Sequence, residues 1–185
     1  LALLLLSIVG LTTLCAQDGS TTFYLKDTLP VSTSATSNPC ILINGIWKYH
    51  PDDNAYPLDQ WTSPDFNDTS WEETISRLPM DSLPKGGWPG AGLFRLHLIV
   101  DSMLWNKPLA IYIVQKGASE IYLDGKLVRK YGIVGSTGNA ETGVNTLTTH
   151  PGFVILSQSA HVISVRFSSF TLLHNRPPVY QILDL

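Results

Sequence analysis

The sequence predicts an all-β sandwich, and three observations carry that prediction. The stretch from Gly117 to Val128 reads as a β-hairpin: Ile121, Tyr122 and Leu123 are good strand formers, Asp124-Gly125 supplies the two positive-φ positions of a type I′ turn, and Leu127-Val128 opens the return strand. Strict alternation flanks it on both sides. Leu109, Ile111 and Ile113 alternate with Ala110 and Tyr112 upstream, and Ile163, Val165 and Phe167 alternate with Ser164 and Arg166 downstream. Short strand-like runs also recur along the chain with Gly- and Pro-rich connections between them, the spacing of an all-β sandwich.

With 185 residues, the chain suits one domain with a substantial core. Apolar residues make up 44 % and charged residues only 15 %, which excludes a disordered chain. The formal net charge is -3 and no run of Lys or Arg occurs, so nucleic acid and anionic membrane surfaces are not expected partners.

Taken in order, residues 1–16 read as the apolar core of a secretory signal peptide, shortened at its N-terminus, with Leu3 to Leu6 and Ile8-Val9 at its centre and Ala16 before the cleavage point. The run falls short of the roughly 20 residues a membrane span needs. Cys15 leaves with this segment, because Leu14 before it is larger than the small residue of a lipoprotein signal. Cys40 then stands alone, and no intramolecular disulfide is expected. Residues 17–40 hold one short strand, Phe23-Tyr24-Leu25, and a connection rich in Ser, Thr and Pro.

Ile41 to Tyr49 is the next apolar segment, with Trp47 and Tyr49 on one face if extended. His50-Pro51-Asp52-Asp53-Asn54 follows. Its oxygen side chains suit calcium, but the alternation and turn glycine of an EF-hand loop are missing, so it reads as a solvated turn. From Tyr56 to Trp71, aromatic residues mix with Pro57, Pro64, Asp65 and Asp68. Such a segment is too broken for a long element and too aromatic to float in solvent, which predicts a packed irregular loop with short helical turns. Asn67-Asp68-Thr69 matches the N-glycosylation pattern, relevant only in a eukaryotic source.

Leu83 to Gly92 is forced into a tight loop by its glycines and prolines. It runs into a half-buried strand in which Phe94, Leu96, Leu98 and Val100 share one face while Arg95 and His97 take the other. Pro108 begins the strand before the hairpin, and Tyr131 ends the hairpin's return. Gly132 to Pro151 is long and poor in large apolar groups, as functional or mobile loops are. Phe153 to Leu156 and His161 to Phe167 close the strand series, and residues 169–185 form a C-terminal segment or linker to a downstream region.

A set of motifs in fixed order carries a resemblance. Gly45-Ile46-Trp47-Lys48-Tyr49-His50, Asp52-Asp53, Pro64 to Trp71, Trp88 with Phe94-Arg95, Tyr122 to Lys126, and His161 to Arg166 together resemble the galactose-binding-domain-like jelly roll over residues 41–168. More narrowly, they resemble the non-catalytic sugar-binding domain of family 2 glycoside hydrolases, and the versions of it at the extracytoplasmic N-terminus of bacterial membrane signalling proteins. The resemblance implies that Trp47, Trp61 and Trp71 brace loops against the sandwich. Trp88, set among glycines and prolines, could present an exposed ring face to a sugar. Arg95 could donate paired hydrogen bonds to a carboxylate or to vicinal hydroxyls, or else hold a rim salt bridge. Trp88, Arg95, Tyr56 and Trp61 are therefore the candidate ligand-binding residues.

No catalytic constellation can be assembled. The five histidines are scattered without metal-ligand spacing, and no serine or cysteine nucleophile signature is present. No metal and no cofactor are expected, and the segment is not expected to be an enzyme. The expected function is a non-catalytic sensor domain outside the cytoplasm that binds a small molecule, a carbohydrate or a neighbouring domain. Its ligand would sit at the loop end, under Gly132 to Pro151, and a kinase, phosphatase or cyclase output would lie beyond Leu185. The alternative is the N-terminal carbohydrate-binding or positioning domain of a secreted family 2 glycoside hydrolase. Membrane association would come only from segments downstream.

Overall fold

The computed structural model describes residues 2–5, 22–25, 43, 45–75, 85–145, 150–170 and 183–184. Cys15, Cys40, most of the polar connection and most of the C-terminal segment lie outside the described residues. Twelve strands occur among those described: β1 (Ala2–Leu5), β2 (Thr22–Leu25), β3 (Ile46–Pro51), β4 (Glu72–Ile75), β5 (Ala91–Val100), β6 (Pro108–Tyr112), β7 (Val114–Leu123), β8 (Lys126–Tyr131), β9 (Val144–Asn145), β10 (Gly152–Ile155), β11 (Ala160–Ser168) and β12 (Leu183–Asp184). Two short helical pieces join them, α1 (Leu58–Trp61) and a 3-10 turn at Ser102–Leu104. Among the described residues, no helix is long and apolar enough to cross a membrane.

The strands make two sheets, and the protein is an all-β sandwich as the sequence predicts. The large sheet runs β12-β7-β11-β5-β3-β4, with β2 added on β5 and β8 and β9 on β7; the small sheet runs β1-β6-β10. At the centre is β5. One of its edges pairs with β11 along the whole strand, from Ala160 opposite Ile99 to Ser168 opposite Ala91. The other edge is shared, β3 taking Gly92 to Arg95 antiparallel and β2 taking His97 to Val100 in parallel.

The alternation read from the sequence decides which side chains meet between the sheets. Phe94, Leu96, Leu98 and Val100 of β5 share a core with Leu109, Ile111 and Ile113 of the β6 segment, together with Trp47, Tyr49, Ile121, Val154, Leu156, Ile163, Val165 and Phe167. Each such side chain taken from water contributes roughly 1.5–3 kcal/mol, the main stabilising term of the fold. Packing there is close: a gap of about 10 Å³ remains, lined by Ile43, Trp47, Ile111, Ile113, Ile121, Ile163 and Val165.

The hairpin is as predicted. Asp124 has φ 48° and Gly125 φ 80°, and Leu123 stands opposite Lys126, which makes a two-residue loop. An irregularity between Ile121 and Tyr122 lets β8 gain a residue on β7. One expectation is corrected. The strand at Leu93 to Val100 is half-buried only in its second half: on the second face Leu93 and Arg95 are buried, whereas His97 is partly and Ile99 more fully exposed. The reason is that the segment from Asp52 to Trp71 lies over that face as a strap. The loop after β8 has structure of its own: Ile133 and Thr142 form a bridge across it, β9 pairs with β7, and Gly135 donates to Ser168 Oγ. Ala2–Leu5, within the segment read as a signal peptide, lies parallel to β6.

Candidate functional site

The strap is held down by both apolar and polar contacts. Trp61 and Trp71 pack with Leu93 and Tyr122 in a second core on the outer face of the large sheet, and Tyr56 and Phe66 close over it. The rings meet edge-on, Trp61 with Tyr122 at 5.9 Å, Tyr56 with Phe66 at 5.1 Å and Phe66 with Trp71 at 5.5 Å. His50 continues the cluster at 5.1 Å from Tyr56 and 5.3 Å from Trp71. The mixture of aromatics and turn formers thus behaves as its chemistry requires: helix α1 and the turns satisfy the backbone locally while the rings are buried.

Arg95 is the hub of the polar contacts, and it is 0 % exposed. Its Nε donates to Asp68 Oδ2 at 2.7 Å, and its Nη1 donates to the carbonyl oxygen of Trp61, to that of Ser63 at 3.1 Å and to Ser164 Oγ at 3.4 Å. The guanidinium also lies 5.3 Å from the centre of the Phe66 ring. His97 reaches both oxygens of the same carboxylate through Nε2, at 3.1 and 2.9 Å. Burial by itself would raise the Asp68 pKa, but the hydrogen bonds from His97 and Arg95 and their charges outweigh it, and the carboxyl is held below its ordinary 3.8. A further bond closes the strap's start, where Arg166 Nε donates to Asp52 Oδ2 at 2.7 Å.

Trp88 sits on the opposite side of the large sheet from Arg95. It is 7 % exposed, with its ring 6.2 Å from Phe94, 5.6 Å from Phe167 and 6.3 Å from Tyr49, and its Nε1 donates to the Ser169 carbonyl at 3.4 Å. The glycines around it do not expose it. Gly90 and Gly92 let the backbone pass close to large rings: a Cβ on Gly92 would stand 2.7 Å from the Tyr49 ring and 3.0 Å from Trp88 itself. Sequence proximity suggests that Trp88 and Arg95 share a site; Trp88, in the loop before β5, packs into the core against Tyr49, Phe94 and Phe167, whereas Arg95 points from β5 to the outer face. Tyr56, Trp61 and Arg95 do come together, as parts of the strap's attachment. The ion pair that Arg95 makes is buried, not at the rim.

Two other clusters use charged groups in the same structural way. Glu120 accepts from Lys130 Nζ at 2.5 Å and from the Tyr122 hydroxyl at 2.8 Å. Burial pushes the Glu120 carboxyl up, yet these bonds leave it below its ordinary 4.5. Burial and the neighbouring Glu120 raise the Tyr122 hydroxyl. At the hairpin turn, Asp124 accepts the Val162 amide at 2.8 Å and lies 2.5 Å from His161 Nδ1, tying the turn to the start of β11. The sequence marks Asp124 as a turn former only, and nothing local to it announces the partner 37 residues away. In the His50 to Asn54 turn, Asp53 accepts the Ala55 amide while Asp52 faces Arg166. Among the described residues, no group of three or more His, Cys, Asp or Glu side chains is placed to hold a metal ion.

No protein-family model matches this chain, and no curated protein matches it. Among solved structures it is similar to a β-glucuronidase from glycoside hydrolase family 2, at 19 % identity and a TM-score of 0.38; the likeness covers 66 % of this chain and 13 % of that one.

Proposed function

We propose that this chain is a non-catalytic binding domain outside the cytoplasm, the sensor part of a membrane signalling protein, and that it works by docking a neighbouring domain of the same polypeptide. What supports the reading is the use made of its polar side chains. Arg95, Asp68, His97, Asp52, Arg166, Glu120 and Lys130 are engaged in holding strap and strands in place. The gap between the sheets is far below the roughly 300–1,000 Å³ of a small-molecule pocket, so the core itself offers no room for a ligand.

A surface of suitable character lies on the small sheet. Phe153 and Ile155 of β10 point outward at 61 % and 60 % exposure, while Val154 and Leu156 between and beyond them are buried. The test has two steps. The coding sequence after Leu185 should contain apolar runs of about 20 residues and an output domain; a βα-repeating barrel there would make the domain a positioning module of a secreted glycoside hydrolase instead. In the full-length protein, the pair Phe153→Asp and Ile155→Asp should then abolish stimulus-dependent output while leaving the unfolding temperature of the domain unchanged. An unaltered response would remove this face from the mechanism.

A further inference from the structure

We draw no further inference here: the strongest candidate, the exposed apolar rim formed by Tyr24 on β2, Ile99 beside it on β5, and Met103 and Trp105 in the turn that follows β5, carries nothing because nothing in the structure shows what covers it.

Discussion

Replacing Asp68 by Asn should destabilise the protein far more than its surface-loop position suggests. The substitution keeps the size of the side chain and one oxygen, but it removes the carboxylate that pairs with the buried Arg95 guanidinium and leaves His97 without its charged acceptor. Taking one partner from a buried ion pair costs about 3–5 kcal/mol, because the remaining charge stays desolvated and uncompensated. In a domain of this size one kcal/mol moves the melting temperature by about 2–4 °C, so a fall of about 6–20 °C is expected. The strap could relieve part of this by lifting from the sheet and letting water reach Arg95, and that route would show as a red shift in the emission of Trp61 and Trp71. Thermal unfolding followed by tryptophan fluorescence reads both outcomes. The double variant Asp68→Leu with Arg95→Met removes both charges, so its loss should be smaller than the sum of the single losses by about 0.5–3 kcal/mol. An Asp68→Asn protein that melted within about 2 °C of wild type, with unchanged emission, would refute the claim that this pair anchors the strap.

Three further outcomes follow from the same contacts. Asp68 and Glu120 both titrate below their ordinary values when folded, so their contribution is complete above the unfolded values of 3.8 and 4.5 and is lost as pH falls through the folded ones; urea unfolding should give stability flat above about pH 5 and falling below about pH 4, with a shallower acid slope in Asp68→Asn. Gly117→Ala and Gly125→Ala should separate cleanly in chemical denaturation. Both glycines have positive φ, but a Cβ on Gly117 would stand 2.2 Å from the Ser168 carbonyl oxygen, whereas one on Gly125 meets nothing nearer than 3.8 Å; the turn variant should lose about 1–2 kcal/mol and the strand variant clearly more. Trp88→Ala should cost about 3–5 kcal/mol as a core truncation, and Trp88→Phe much less; an alanine variant of wild-type stability would return Trp88 to the surface.

Much of this fold is legible in the sequence because the signals are local. Period-two alternation marks β5, β6 and β11, and Asp124-Gly125 needs only its own backbone preferences to make the turn. The strap is half legible. Its aromatic content demands burial, but the sequence does not say against what, and so the face of β5 bearing Arg95 reads as solvent-facing when its first half, at Leu93 and Arg95, lies under a second core. Trp88 misleads for the converse reason. Glycine and proline around a tryptophan suggest an open loop, whereas Gly92 is small because Tyr49 and Trp88 both press against it. Pairs such as Asp68 with Arg95 and Asp124 with His161 span 27 and 37 residues, and only the assembled sheet brings them together.

The sealing of the outer face limits where recognition can occur. A ligand using the Arg95 fork for a carboxylate or vicinal hydroxyls would have to displace Asp68 and the Trp61 and Ser63 carbonyls, which occupy its Nε and Nη1, while Nη2 is buried beneath the strap without a partner among the described residues. It would also have to lift the strap, exposing Trp61 and Trp71. Two such rings bury about 200 Å² each, and at about 25 cal/mol per Å² their exposure opposes binding by about 10 kcal/mol. That equals the entire binding free energy of a ligand with a dissociation constant between micromolar and nanomolar. An ordinary small ligand cannot offset it. The arginine that looks most like a ligand-binding group in the sequence is therefore held by the residues that bury it, and on the proposed reading a partner would meet surfaces the strap does not cover, such as β10 with Phe153 and Ile155 along one face.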